Sequence, residues 1–270
     1  MKFGACYCLY DDHEYLDLSL QCVEKYLDKV IFLISNIPWN GKKSDNSKTI
    51  EHVKKLCARN PKFELHFGDW DNEVVQRNYG LELFYKEGID YYFLIDTDEL
   101  YHQHEFERII QFIKICPQFS AFHIEWNTYW SKDYFKIWPR EGYRPVICVK
   151  TDSFQFNAIR HGTTAVKRTE QGIIETDGEY NGVIIPPEVG ICYHLSYARD
   201  DQYMQRKLET NSHAPEFIQN WYENIWKRWT PQMQNLHPVT PEQYQQAVPE
   251  DLAALPLPLQ HFIVSEKSNS

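Results

Sequence analysis

Two aspartates separated by a single residue are the strongest candidates for chemistry in this sequence. Asp96 and Asp98 directly follow the continuous apolar run of residues 91–95. This spacing allows two carboxylates to face one ion, and hard divalent cations such as Mg2+ and Mn2+ take oxygen ligands. We therefore predict a metal site here, with Asp98 facing solvent so that its replacement by alanine leaves the fold intact. The alternative is that the pair only ends a strand or caps the next helix.

The elements that must position this pair alternate between strands and helices. Apolar, β-rich runs predict four strands, at residues 3–10, 29–35, 63–67 and 91–95. Each run is followed by a helical pattern, at residues 16–27, 47–59, 72–87 and 106–113. Such repeated units predict an α/β fold with a mostly parallel sheet flanked by helices. Ligands gather at the carboxyl ends of such strands, which is where Asp96 and Asp98 lie.

The regular alternation of short strands and helices ends after residue 116. Longer β-like runs follow, at residues 120–129, 143–150 and 189–193, together with helical patterns at 199–211 and 216–229. We expect residues 117–230 to form a mixed α/β half of the same domain. Residues 231–270 hold six of the fourteen prolines and predict a proline-rich tail.

Composition excludes several classes of protein. The 28 basic and 38 acidic residues leave a net charge of -10, which argues against nucleic acid or an anionic membrane as the main partner. The seven cysteines include no C-x-x-C pair, so we expect reduced thiols. The start has too short an apolar run for a signal peptide, and no later run approaches a spanning helix, which predicts a cytoplasmic protein. The oligomeric state is open.

The order of these pieces resembles a known family. A strand, an Asp-Glu loop, a helix, a second strand, then a helix with Arg77-Asn78 before a buried strand and D-x-D-E resemble the GT-A fold glycosyltransferases, close to the family 2 type. The resemblance covers residues 3–116 well and the rest loosely. It implies a GT-A-like, Rossmann-related fold, with residues 1–116 as the nucleotide-sugar-binding half and residues 117–230 as the acceptor-binding half.

The resemblance also implies an activity. A nucleoside-diphosphate sugar, with UDP or GDP, would donate its sugar to a carbohydrate or other hydroxyl acceptor, with inversion. Mn2+ or Mg2+ would act as a Lewis acid on the departing diphosphate. Residues 35–40 lack the acidic, Gly-Ser-rich loop that many relatives have after strand two, so the identity of the base is open.

The resemblance carries over to individual residues. The implied donor and cofactor contacts are Asp12, Glu14, Arg77, Asn78, Asp96, Thr97 and Lys207, and the implied metal ligands are Asp96, Asp98 and His194. A helix cap for Asp12, a salt bridge for Arg77 and a hydrogen-bonded core position for His194 are the alternatives. Late in the chain, Arg199, Arg206 and His213 belong to the segment that would close over the diphosphate, although such residues also line solvated helix faces.

An inverting transferase also needs a general base for the acceptor hydroxyl. Glu125, on a predicted strand, and His161 are our two candidates. Other acids remain open, namely Asp152, Asp177 and Glu179. Three tryptophans of the same half offer flat faces for a sugar, although core packing is the alternative: Trp126, Trp130 and Trp138.

Two other classes fit part of the pattern. A metal-dependent phosphatase or nucleotidyltransferase also uses paired aspartates at a strand end. A dehalogenase-type phosphatase would place them after the first strand, however, and a nucleotidyltransferase would need a glycine-rich phosphate loop. The third class is a non-catalytic carbohydrate-binding protein on the same fold.

Overall fold

The structure is a computed structural model that describes residues 1–39, 42–158, 160–163, 166–169, 172–176, 181–210 and 216–269. Its α-helices are α1 Leu16–Val23, α2 Ser47–Arg59, α3 Glu73–Lys86, α4 Gln103–Ile115, α5 Asp201–Thr210 and α6 Leu257–Asn269. Its first strands are β1 Phe3–Leu9, β2 Lys29–Ser35, β3 Phe63–Gly68, β4 Tyr91–Leu94, β5 Glu99–Leu100, β6 Ala121–His123, β7 Trp126–Trp130 and β8 Phe135–Trp138. The later strands are β9 Val146–Lys150, β10 Gln155–Ala158, β11 His161–Thr163, β12 Val166–Thr169, β13 Gly172–Glu175, β14 Gly182–Ile184, β15 Cys192–Tyr197 and β16 Gln246–Val248.

A seven-stranded sheet organises the chain in the order β14-β6-β9-β4-β1-β2-β3. Strands β3, β2, β1 and β4 run parallel to one another. Strand β9 is antiparallel to both β4 and β6, and β14 runs parallel to β6. The predicted α/β class with a mainly parallel sheet is therefore confirmed.

The sheet buries both of its faces because its central strands are apolar throughout. On β1, Tyr7 belongs to the core cluster that includes α1 and α4, whereas Cys6 faces the cluster that includes α3. Helix α3 begins where the Asn72 side chain accepts a hydrogen bond from the Val75 amide at 3.0 Å. It ends just before Gly88, whose φ of 69° is the left-handed conformation that glycine adopts without strain.

A second, five-stranded sheet has the order β16-β8-β7-β15-β5. The prediction of one continuous strand over residues 120–129 was wrong, because the chain leaves the first sheet after β6 and enters the second at β7. Strand β5, immediately after the paired aspartates, joins the second sheet by pairing antiparallel with β15. The two sheets therefore meet at the D-x-D segment.

The predicted helix over residues 216–229 was also wrong. The structure has a short π-helical turn there, Tyr222–Trp226, in which the Lys227 amide donates to the Tyr222 carbonyl at 2.9 Å. A π-turn spaces residues five apart onto one side. Trp221 and Trp226 accordingly both pack against the ring of Trp130, at 5.8 and 5.1 Å between centroids.

Residues 231–269 pack against the rest of the chain. Strand β16 pairs with β8, and α6 contributes Leu259 and Ile263 to the main core. The ring of Phe262 meets that of Tyr15 edge to face at 6.1 Å. All seven cysteines are free. Among the described residues, no helix is both long and apolar enough to span a membrane.

Candidate functional site

The pairing of β5 with β15 brings a distant histidine to the D-x-D segment. His194 lies opposite Glu99 in this ladder, and the Leu195 amide donates to the Asp98 carbonyl at 2.8 Å. As a result the Nε2 atom of His194 stands 3.9 Å from Oδ1 of Asp98. The structure thus brings together two of the three predicted metal ligands, with Asp96 beside them.

Asp98 lies among cations. Its Oδ2 atom is 3.1 Å from the Lys207 ammonium and 3.5 Å from the Arg199 guanidinium. Burial alone would raise the pKa of the Asp98 carboxyl, but the neighbouring charges, that of Lys207 foremost, hold it well below its usual range. The expectation that Asp98 faces solvent was wrong, since the residue is only 6% exposed. The β15 strand and α5 cover it.

Asp96 is held by two arginines. The Arg160 guanidinium lies 2.6 Å from Oδ2 of Asp96, and that of Arg77 lies 3.5 Å from Oδ1. Although burial opposes them, these charges lower the pKa of Asp96. Arg160 also reaches the fully buried Glu99 at 2.6 Å. Arg77 in turn makes its closest ion pair with Glu73, at 2.6 Å.

Arg160 is a residue that the sequence analysis missed. It lies between β10 and β11 with a φ of 46°, a left-handed conformation that is unfavourable for a residue other than glycine. Its side chain is 4% exposed and packs 5.4 Å from the Trp126 ring. The only sequence signal was an arginine next to the candidate His161, and only the tertiary fold shows its partners.

A small cleft of about 180 Å³ opens on one side of the paired aspartates. Within it, Asp12 accepts hydrogen bonds from Thr97 Oγ1 at 2.6 Å and from the Tyr203 hydroxyl at 2.7 Å. Four of the seven predicted donor contacts, Asp12, Asp96, Thr97 and Lys207, therefore line this cleft, and Tyr203 was missed. The other lining residues include Asp11, Pro38, Trp39, Gln76 and Arg206. Glu14 forms an ion pair with Arg206 at the edge of this cleft.

Arg199 stands behind the small cleft. Its guanidinium lies between two aromatic rings, 3.9 Å from the Tyr15 centroid and 4.0 Å from the Tyr203 centroid. This stacking fixes Arg199 between Asp98 and Asp12, to which it is 3.5 and 4.0 Å distant. Its buried charge therefore offsets the repulsion between the two carboxylates.

A large cleft of about 790 Å³ opens on the other side. Its lining includes Arg77, Trp126, Glu141, Tyr143, His194 and Tyr244. Four residues line both clefts: Trp39, Asp96, Asp98 and Lys207. The paired aspartates therefore lie at the junction of a small, acidic cleft and a larger one with aromatic walls.

The contact with Thr128 and the burial of His194 together indicate which of its ring nitrogens carries a proton. Thr128 Oγ1 donates to Glu141, so the same oxygen, 3.4 Å from Nδ1 of His194, is placed to accept a hydrogen bond from an Nδ1–H group. Burial lowers the pKa of His194 to about 4 despite the nearby Asp98, so the imidazole is neutral at physiological pH. Its Nε2 lone pair then faces the Asp98 carboxylate.

A lone pair and a carboxylate that face each other suit a divalent cation between them. Imidazole nitrogen and carboxylate oxygen both bind Mn2+, and the Nδ1–H bond to Thr128 fixes the ring as metal-bound histidines require. Within the described ranges, no group of three or more His, Cys, Asp or Glu side chains could hold a metal ion. An ion held by Asp98 and His194 would therefore need its other ligands from a bound molecule and water.

Other predicted residues lie elsewhere. Both polar atoms of the Asn78 side chain bond to the Phe156 backbone, each at 2.9 Å, so Asn78 anchors β10 instead of facing either cleft. Glu125 is bound by Arg140 and Arg144 outside both clefts. Its contact with an acceptor, like that of Asn78 with a donor, stays a prediction.

The remaining candidates differ in their surroundings. Trp126 lines the large cleft with its ring 4.0 Å from that of His194, Trp130 is fully buried, and Trp138 is 52% exposed. Asp152 is exposed. His161 begins β11, but its side chain is not among those described, and three candidates fall outside the described residues: Asp177, Glu179 and His213.

Comparison with known proteins gives structural similarity alone. No protein-family model and no curated protein matches the chain. A crystal structure of GalNAc-T7 with UDP, GalNAc and Mn2+ is 8% identical, with a TM-score of 0.45 over 73% of this chain and 44% of the other. The structure of S. aureus TarS 1–349 in complex with UDP is 11% identical, with a TM-score of 0.40 over 70% of this chain and 62% of the other.

Both of these proteins are glycosyltransferases. The chain spans less than two thirds of the length of either one.

Proposed function

We propose that this chain is a metal-dependent glycosyltransferase that moves a sugar from a nucleoside-diphosphate donor to a carbohydrate or other hydroxyl acceptor, with inversion. The observation that carries this proposal is the position of Asp96 and Asp98 at the junction of two clefts. A transferase must hold two substrates with their reacting atoms in contact. Two clefts that meet at a cation-binding pair of carboxylates meet this requirement.

The metal ligands in this proposal are Oδ1 of Asp98 and Nε2 of His194, which face each other at 3.9 Å. A bound Mn2+ or Mg2+ would supply positive charge for the departing diphosphate. Asp96 is tied to Arg160 and Arg77, so it shapes the site and takes part in ligation only if it exchanges these partners. Mn2+ is the favoured ion because imidazole suits it better than Mg2+.

The small cleft would bind the nucleotide of the donor. Thr97 and Tyr203 fix both carboxylate oxygens of Asp12, whose remaining lone pairs are positioned to accept from hydroxyl or base N–H groups. Trp39 lines the same cleft, and its indole is held by a 2.8 Å bond to Gln76. Its flat face is suited to stacking on a base or sugar ring.

The diphosphate would lie at the junction of the clefts, next to Lys207. The ammonium of Lys207 bonds to Asp98 at 3.1 Å and to Ser196 Oγ at 2.6 Å. These contacts hold a compact positive charge where the two clefts meet. Its role is to bind phosphate oxygens directly, whereas the stacked and buried Arg199 keeps Asp98 ionised.

The large cleft would bind the acceptor. Trp126 and Tyr143 meet edge to face at 5.6 Å on its wall, and Tyr244 also lines it. Aromatic faces bind the apolar faces of sugar rings, and the volume of about 790 Å³ is in the range of ordinary ligand sites. Charges of both signs line it, which suits a neutral saccharide better than a polyanion.

The test is to identify which bond is cleaved. The protein is incubated with UDP- and GDP-sugars and Mn2+, with and without EDTA, and the products are separated. Release of a nucleoside diphosphate that EDTA abolishes would support transfer at the anomeric carbon. Release of a nucleoside monophosphate or inorganic phosphate would instead indicate the phosphatase or nucleotidyltransferase class. Nucleotide binding without any cleavage would indicate a non-catalytic protein.

A further inference from the structure

Glu141 is a carboxylate in the large cleft that neither the donor site nor the metal pair uses. It lies in the loop between β8 and β9 and lines the cleft together with His194 and Tyr197. The hydroxyls of Thr128 and Tyr244 donate to it. No arginine or lysine among the described residues forms an ion pair with it.

Two hydrogen bonds of Thr128 connect Glu141 to His194, which is one of the two proposed metal ligands. Thr128 bonds to Glu141 with its hydroxyl hydrogen and to Nδ1 of His194 with its oxygen, and His194 faces Asp98. Glu141 therefore lies on the acceptor side of the metal pair, at a defined orientation. A group that takes a proton from the acceptor hydroxyl must occupy that side.

Glu125, the acid proposed from sequence, has the opposite surroundings. Arg140 and Arg144 both bind its carboxylate, at 3.0 Å for Arg144, and it lines neither cleft. Although burial opposes them, these arginines lower the pKa of Glu125. A carboxylate that is paired twice and held outside the clefts is a poor proton acceptor.

We propose that Glu141 is the general base that removes the proton from the acceptor hydroxyl during transfer. This inference rests on the proposed glycosyltransferase function. In the step, the acceptor O–H bond breaks and its proton passes to Glu141, while the acceptor oxygen bonds to the anomeric carbon. The bond from that carbon to the diphosphate oxygen breaks at the same time, and the nucleoside diphosphate leaves with the electron pair.

The electrostatic surroundings support this role. Burial raises the pKa of Glu141 to about 7, against the lowering effect of the Thr128 and Tyr244 hydrogen bonds. The titratable groups that interact with Glu141 are Tyr197 on β15 and Tyr244. The other charged or titratable groups that line the same cleft are Glu73, Arg77, Asp96, Asp98, Tyr143, Arg160, His194, Lys207 and His237. A carboxyl that titrates near neutrality is both ionised and basic enough at physiological pH.

The test uses two nucleophiles, so the natural acceptor need not be known. Water must lose a proton when it attacks the donor sugar, whereas azide attacks without losing one. The nucleotide sugar that the wild-type protein cleaves is incubated with Mn2+, with and without sodium azide. Glu141→Gln keeps the size of the side chain and one oxygen that accepts hydrogen bonds, and Glu141→Ala makes room for azide. Glu125→Gln tests the competing acid, and Glu223→Gln, an exposed glutamate paired with Lys227 outside both clefts, is the control.

We expect Glu141→Gln to slow hydrolysis by about 10²- to 10⁴-fold. Glycosyl azide formation by the Glu141 variants should stay within about tenfold of the wild-type rate, and nucleotide binding should be unchanged. The wild-type hydrolysis rate should fall as the pH drops below about 7, and this acidic limb should be absent in Glu141→Gln.

Three results would overturn the inference in distinguishable ways. Hydrolysis by Glu141→Gln within tenfold of wild type, with the acidic limb retained, would exclude this base while leaving the transferase intact. An equal loss of hydrolysis and azide product would show a structural role. A wild-type protein that neither binds a nucleoside diphosphate nor releases one from any UDP- or GDP-sugar would overturn the proposed function and the base together.

Discussion

The Nε2 atom of His194 faces Oδ1 of Asp98 across 3.9 Å, with Thr128 holding the opposite nitrogen of the ring. This relationship arises because β5 leaves the D-x-D segment and pairs with β15 in the second sheet. The pairing fixes the backbones of both residues before any ligand binds. The site therefore needs no large rearrangement to bring an imidazole and a carboxylate to one cation.

His194→Gln should weaken the metal-dependent part of nucleotide binding by at least about tenfold, or about 1.4 kcal/mol. The reason is that the variant removes the imidazole while leaving the ion pairs of Asp98 in place. Titration calorimetry with Mn2+ and with EDTA separates the metal-dependent part of nucleotide binding from the metal-independent part. If His194→Gln weakens nucleotide binding equally with Mn2+ and with EDTA, the imidazole shapes the site but does not bind the metal.

Asp98→Asn should also lose the metal-dependent part of nucleotide binding, and it should destabilise the fold. Removal of the carboxylate leaves Lys207 and Arg199 without their shared partner in a buried position. Breaking a buried pair from one side costs about 3–5 kcal/mol. Urea denaturation of the ligand-free protein measures this cost, and a variant as stable as wild type would contradict the ion pairs described here.

Lys207→Met should lower the affinity for the nucleoside diphosphate by about 10- to 100-fold, because a charge-assisted hydrogen bond contributes about 1.5–3 kcal/mol. Affinity for the free nucleoside should not change. Lys227→Met, an exposed lysine paired with Glu223, is the control. If both lysine variants bind the diphosphate like wild type, Lys207 does not contact phosphate.

Arg160 and Glu99 should show strong energetic coupling. Arg160→Met removes the guanidinium that lies 2.6 Å from both Glu99 and Asp96, leaving Asp96 with Arg77 alone, and should cost about 3–5 kcal/mol. Adding Glu99→Gln should recover part of this loss, since the neutral amide needs no cation. A double-mutant cycle in urea gives the coupling directly, and additivity within about 0.5 kcal/mol would contradict the pairing.

Glu141→Gln should stabilise the protein at alkaline pH. The pKa of Glu141 is raised from 4.5 to about 7 in the folded state, so its contribution is fully present below pH 4.5 and is lost as the pH rises through 7. The loss at pH 8 is about 3 kcal/mol, and the glutamine variant avoids it. Urea midpoints at pH 4 and pH 8 should show the gain only at pH 8.

Glu125→Gln is the matched comparison and should change stability in the opposite direction. Because its pKa is lowered in the folded state, the ionised Glu125 stabilises the protein above its ordinary pKa, and this contribution is lost as the pH falls. The variant should therefore be less stable than wild type at pH 8. The same direction of change in both variants would contradict the assignment of their surroundings.

The sequence predicted the four parallel strands β1 to β4 of the first sheet because their signals are local. Each parallel strand is a continuous apolar run, and each crossover helix carries its own apolar spacing, so the elements up to residue 116 follow from periodicity. The position of Asp96 and Asp98 follows as well, since the end of a buried strand can be recognised directly. Asp12 and Thr97, close to such strand ends, lie together for the same reason.

The second part depends on contacts that no local pattern encodes. The chain changes sheets between β6 and β7, and the aromatic segment around Trp226 forms a π-turn because several rings share one cluster. Arg160 and Glu141 belong to the site only through partners distant in sequence. Single arginines and glutamates carry no signal by which such roles could be read.

The most direct test of the central claim is equilibrium binding of UDP and GDP to the wild-type protein, each with Mn2+ and with EDTA, read as a shift in thermal unfolding. A ligand at 100 times its dissociation constant adds about 2.7 kcal/mol of stability. We predict that one nucleotide stabilises the protein, that Mn2+ increases the shift, and that His194→Gln removes the increase. No shift with either nucleotide, or a shift that Mn2+ and His194→Gln leave unchanged, would contradict a metal-dependent donor site at Asp98.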